Sequence, residues 1–233
     1  MTLPHTKKTL VSALVIASSV TLLSGCIIHV GGPAKGDYEF DLEDDRSMSS
    51  VLGDVSVSEG KQVNDVSSVN GSVTLHNRVT AQEVSTVNGS ISIKNDVTVE
   101  SVEIVNGDIQ IGERFKAHDD VESVNGDISI DAAGDVSGDV ETVNGDISLN
   151  NTLVGEDVET VNGDIHLFNN SVVMGDIIYE RSNNKGWNQQ NKPTLRIEKG
   201  SEVSGEIVLH RDVNLVIDDA TTAAKVVRRF SGE

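Results

Sequence analysis

The most regularly spaced residues with chemical potential are carboxylates. Asp108, Asp127, Asp146 and Asp164 recur at steps of 19, 19 and 18 residues, and Glu103, Glu122, Glu141 and Glu159 keep the same steps beside them. If equivalent positions stack, like charges lie ~4.8 Å apart, and each pair repels by ~1 kcal/mol in a water-like dielectric. Calcium prefers oxygen ligands and would relieve that repulsion, which makes Asp108, Asp127, Asp146 and Asp164 candidate calcium ligands. The chain lacks the Gly-Gly-x-Gly-x-Asp nonapeptide of calcium-binding β-rolls. The preferred reading is therefore a solvated outer face that resists aggregation, with no metal assigned.

Other chemistries find little support. His29, His76, His118, His166 and His210 are scattered, and none has the short paired spacing of a zinc site. No Gly-x-Ser-x-Gly elbow, no phosphate-binding glycine loop before a helix and no His-Glu-x-x-His occurs. Paired carboxylates say little in a chain with 37 acidic and 18 basic residues. No cofactor is implied, and the expectation is a protein that is not an enzyme. One loop is a binding candidate. The polar run 181–192 holds the single tryptophan, and Trp187, Asn188 and Lys185 could stack on a sugar or a partner surface. The alternative is an insertion whose tryptophan packs locally.

What must position these residues is a repeat. Val-Asn-Gly-(Ser/Asp)-(Val/Ile)-x-(Leu/Ile) places Asn70, Asn88, Asn106, Asn125, Asn144 and Asn162 at steps of 18, 18, 19, 19 and 18. A constant short period marks stacked units, each too small to bury its own apolar face. After the glycine, residues alternate as in Asp146-Ile147-Ser148-Leu149, a period-2 strand. Upstream, one valine lies four residues before each asparagine and another directly before it. That spacing of three breaks alternation and predicts a bend or bulge between them.

Asn-Gly between strands reads locally as a two-residue hairpin, which would give an antiparallel meander. Constant step length favours instead an all-β, single-domain parallel β-solenoid, or β-helix, of ~18-residue coils. The asparagines then form a ladder of side-chain amides at ~4.8 Å. The glycines form a column that should resist replacement far more than Ser129 or Ser148. Nine or ten such coils make a rod of roughly 45 Å.

Residues 1–25 read as a leader: Lys7 and Lys8, then a mostly apolar run from Leu10 to Leu23, short for a membrane span. It ends in Leu23-Ser24-Gly25-Cys26, with Cys26 the only cysteine. This resembles the bacterial lipoprotein signal, which implies cleavage before Cys26, lipidation there with palmitate-type chains, and a membrane anchor without a span. An ordinary secretory signal is the alternative. Ile27 stands where an aspartate commonly retains Gram-negative lipoproteins at the inner membrane, so the resemblance implies the outer membrane in such a host. Removing 1–25 deletes two lysines and no acid, leaving 16 basic and 37 acidic residues, a net −21. That excess speaks against nucleic acid and against adsorption to anionic lipid.

The remaining organisation is a tether at 26–37 and a solenoid domain at 38–233. Within it, Tyr38 to Leu42 reads as a capping strand, and regular repeats cover about 51–168. The polar insertion 181–192 follows, then closing rungs at 193–220. Gly175-Asp176-Ile177 reads as a degenerate copy six residues out of step. The tail after Ala223, with Lys225, Arg228 and Arg229, could cap the last rung.

The repeats from 69–73 to 161–165 resemble the bacterial adhesin-like family of β-strand repeats, over roughly residues 50–217. The resemblance implies a β-solenoid of the cell envelope, serving as scaffold, surface adhesin or polysaccharide binder with an unknown protein or glycan partner. The segment Gly200 to Leu209 resembles the repeats of bactofilins, which implies end-to-end self-association. A polysaccharide-active enzyme on a β-helix would need longer coils and a cleft than these minimal coils allow.

Overall fold

The computed structural model describes residues 47–182 and 192–230. The leader, the tether, Tyr38 to Leu42 and the candidate residues Cys26, Lys185, Trp187 and Asn188 lie outside the described residues. Within them the chain is an all-β parallel solenoid of about 9 turns, roughly 19 residues per turn. Each regular coil contributes a strand to each of three sheets, and every strand pair is parallel.

The first sheet has 10 strands, from Met48–Leu52 to Val226–Arg228. The second has 9 strands, from Val55–Val57 to Asn214–Ile217. The third has 6 strands, from Thr98–Val99 to Glu202–Val203, prolonged toward the amino end by single bridges Gln62–Thr80 and Thr80–Thr98. Register repeats residue for residue: Asn70 pairs with Asn88, Glu103 with Glu122, Ile128 with Ile147. The hairpin alternative is excluded, because among the described residues no strand turns back upon its neighbour.

The core is a narrow column of branched aliphatics. Val66, Val84, Val102, Val121, Val140 and Val158 point inward from the first sheet, and Ile91, Ile109, Ile128, Ile147 and Ile165 from the second. Val99, Ala117, Val136, Val154 and Val173 close it from the third, and all of these are buried. Such a column needs few aromatic rings, in keeping with 3% aromatic residues.

The expected bulge between the two valines is absent. Val66–Asn70 is one continuous strand with alternating burial. Val66 and Ser68 face in, while Val69 faces out and is only half-buried. The inward place three residues on from the corner is filled by small hydroxyls. Thr86 Oγ1 donates to Gly71 O at 2.9 Å and Ser68 Oγ to Gly53 O at 3.1 Å, so a polar residue is satisfied inside without breaking the period.

Nor does Gly175-Asp176-Ile177 slip by six residues. Ile177 pairs with Val158, 19 residues earlier, in the first sheet. Gly-Asp marks two corners of the coil, not one, and this copy belongs to the corner entering the first sheet. The closing segments also take their places in order: Leu195 pairs with Ile165, Ile207 with Ile177, and Leu215 with Leu195. After them comes a short helix, α1 (Ala220–Ala223), whose amino end is capped by Asp219. The tail does more than cover the top. Val226–Arg228 adds the tenth strand of the first sheet, and Lys225 Nζ donates to the carbonyls of Val203 and Ser204 at the end of the third.

Candidate functional site

The corner from the first sheet to the second carries the Asn-Gly pairs. Each asparagine Nδ2 donates to the Oδ1 of the asparagine below: Asn88 to Asn70 at 3.1 Å, Asn106 to Asn88 and Asn125 to Asn106 at 3.0 Å, Asn144 to Asn125 and Asn162 to Asn144 at 2.9 Å. The expected ladder is thus unbroken over six coils. The glycines behind it are held by sterics. A Cβ built on Gly71, Gly89, Gly107, Gly126, Gly145 or Gly163 would lie between 1.8 and 2.2 Å from the carbonyl oxygen of the glycine one coil below.

The aspartates after those glycines are used inside the stack. Oδ1 of Asp108 accepts the N–H of Asp127 at 3.0 Å, and Asp127 and Asp146 accept from the next aspartate N–H at 2.8 Å. Asp164 accepts from Thr194 N–H at 2.7 Å, across the insertion. Each of these candidate calcium ligands therefore satisfies a backbone donor of the coil above. Among the described residues no group of three His, Cys, Asp or Glu side chains is disposed to hold a metal ion. A second aspartate column, unnoticed in the sequence, does the same at the corner entering the first sheet. Asp120, Asp139, Asp157 and Asp176 accept the N–H of Asp139, Asp157, Asp176 and Glu206 at 2.7 to 2.8 Å.

The glutamate column differs. Glu103, Glu122, Glu141 and Glu159 stand in register on the outer face of the first sheet. Burial is the main force that raises their carboxyl pKa, with repulsion from neighbouring acids next. Glu103 and Glu122 are pushed up to about 7, and Glu141 and Glu159 to about 8. Asp139 nearby is pushed up to about 6, chiefly by burial. The groups acting on them from the adjoining corner and strand ends are Glu83, Asp119, Asp120, Asp139, Asp157 and Glu180, all of them acids.

The insertion leaves the stack at the Asn-Gly corner. Glu180 N–H still donates to Thr160 O at 2.9 Å, and the chain rejoins the second sheet at Thr194. Two residues mend the gap. The buried Tyr179 hydroxyl accepts the Ile165 N–H and donates to Thr194 O, both at 3.1 Å, so it bridges an N–H and the carbonyl that are bonded directly in the lower coils. From the coil above, Arg211 Nη1 donates to Asn162 Oδ1 at 2.8 Å and to Val161 O at 2.7 Å, supplying the donor a seventh asparagine would have provided. Lys192 pairs with Asp212 at 2.6 Å beside it. Sequence reasoning missed Tyr179 and Arg211. The available signal was positional: Tyr179 falls where every lower coil but one has Ser or Thr, that one having Ile104.

One histidine gains company. His166 stacks on Phe168 with ring centroids 4.6 Å apart, and its Nε2 lies 3.0 Å from Glu198 Oε1, which also accepts from Arg196 Nε at 3.3 Å. These contacts hold the Glu198 carboxyl below its ordinary range, His166 first and Arg196 second. The cluster spans the insertion, so it is invisible until Ile165 is known to pair with Leu195.

Comparison with protein-family models, curated proteins and solved structures gave no match.

Proposed function

We propose that the chain is a non-enzymatic scaffold or binding surface of the cell envelope, tethered by lipid at Cys26. The observation that carries this reading is the ordering of the stack. Aliphatic side chains fill the coil interior from Val55 to Leu209, and the outer faces are ruled by repeated columns. Such a body presents surface, and segments that leave a regular scaffold are where binding residues concentrate, which supports a binding role for the stretch between Glu180 and Thr194. The leader ending in Leu23-Ser24-Gly25-Cys26 supports the anchor. A surface adhesin or polysaccharide binder is the second reading, favoured by the resemblance of the repeats and by Trp187 within that departure.

Two experiments test this. Labelled palmitate should enter the chain in bacterial cells and be lost in Cys26→Ala; equal labelling of the variant would end the anchor reading. Crosslinking in cells from position 185 should capture an envelope component. Glycan capture lost in Trp187→Ala would favour the adhesin reading, and protein capture the scaffold.

A further inference from the structure

Six Asn-Gly pairs share one local sequence context, Val-Asn-Gly-(Ser/Asp), yet the fold treats the last differently. In Gly71, Gly89, Gly107, Gly126 and Gly145 the backbone N–H donates to the carbonyl of the asparagine one coil above, at 2.9 to 3.1 Å. For Gly163 the acceptor in that position would be Arg181, but the chain has left the stack after Glu180. The Gly163 N–H has no acceptor among the described residues. The side chains differ as well. Asn70, Asn88, Asn106, Asn125 and Asn144 present Oδ1 to a neutral amide, whereas Asn162 presents it to the Arg211 guanidinium.

We propose that Asn162-Gly163 is the deamidation site of the folded protein, and that Arg211 lets the stack keep the charged product. The reaction needs only a base and water. The Gly163 nitrogen gives its proton to base and attacks Asn162 Cγ. A nitrogen–Cγ bond forms, the Cγ–Nδ2 bond breaks, and Nδ2 leaves as ammonia. Water then opens the cyclic imide at either carbonyl, giving aspartate or isoaspartate. In the other five pairs the attacking nitrogen is tied into the ladder, so attack requires the coil above to open first. At Asn162 no such bond among the described residues must break. The new carboxylate stands against Arg211 Nη1, at the distance of a charge-assisted hydrogen bond. Below, it loses only the amide donation to Asn144 Oδ1.

The test follows all six sites in one sample. The full chain is held folded at mildly alkaline pH and digested, and peptide mass and retention report amide-to-acid conversion. Conversion at Asn162 should lead the other five by roughly tenfold or more, the protection lost with one ladder hydrogen bond. In denaturant the lead should vanish. Uniform rates in the folded chain, a lead by another asparagine, or a lead that survives denaturant would each overturn the proposal. The product is tested by melting: Asn162→Asp should lie close to the parent, while Asn125→Asp, with no cation facing it, should melt clearly lower. Equal losses in the two variants would refute the part played by Arg211.

Discussion

Two corners of the same coil obey different rules. At the Asn-Gly corner the backbone of one coil rests on the backbone of the next, and any Cβ there would sit within 2.2 Å of a carbonyl oxygen. At the corner from the second sheet to the third, the coils carry left-handed residues, with φ of 59° at Arg78, 60° at Asp96, 57° at Arg114 and 64° at Ala133, and with two in succession at Asn169 and Asn170. There the constraint is torsional, and no backbone atom of the coil below crowds the first or the last place in this column. Gly60, in the same place of the first coil, would meet nothing within 4 Å if it carried a Cβ. Contact between backbones fixes residue identity, whereas torsion alone only biases it. That is why Val-Asn-Gly repeats visibly and the left-handed corner reads Arg, Asp, Arg, Ala, Asn and then Asn-Asn.

The sharpest way to break this contrast is to add a side chain at each corner. Gly126→Val must force coils apart or abolish folding, a loss of more than ~4 kcal/mol, whereas Ser129→Val on the exposed side of the second sheet should change stability by less than ~1 kcal/mol. Equal melting of the two variants would refute backbone-on-backbone contact. A smaller effect is expected from the ladder. Asn125→Ala removes its amide donation to Asn106 and its acceptance from Asn144, both exposed, and should cost about 1–2 kcal/mol in denaturant unfolding.

The acid columns sharpen the contrast through pH. The aspartates take backbone N–H donors; Glu141 sits between Glu122 and Glu159 with its pKa pushed up to about 8 by burial and repulsion. A raised folded-state pKa gives stability that is fully present below the unfolded value near 4.5 and is lost as pH rises through 8. The protein should therefore melt higher at pH 5 than at pH 8.5. Glu141→Gln should raise the melting point at pH 8.5 and leave it nearly unchanged at pH 4. No difference at pH 8.5 would show that the column is fully solvated. Smallest of all, Ala133→Gly should stabilise by about 0.5–1 kcal/mol, since glycine adopts the left-handed corner without strain.

How far the sequence could be read follows from the same physics. The parallel stack and the asparagine ladder were legible, because Asn, Gly and alternating Ile recur at nearly fixed steps. The bulge was misread because the inward hydroxyls of Ser68, Thr86, Ser123 and Thr142 look polar and hence outward; only the glycine carbonyls beside them make their burial affordable. The slip at Gly175 was misread because both aspartate corners use Gly-Asp for the same purpose, an N–H acceptor beside a close backbone approach. Asp108, Asp127, Asp146 and Asp164 suggested a cation, but hydrogen bonds to the coil above already engage them. Arg211 could not be found by periodicity, since it acts where the period is broken, and Tyr179 stands out in its column only once Ile177 is known to pair with Val158.

The parallel stack itself is tested most directly by a distance. Spin labels on Thr74 and Ser148 occupy one outward column of the second sheet, four coils apart through Ser92, Gln110 and Ser129. Stacked coils place the two backbones ~19 Å apart, and a meander with two strands per repeat places them ~38 Å apart. A pulsed dipolar measurement centred near the shorter distance is the result expected here; one centred near the longer would contradict the solenoid.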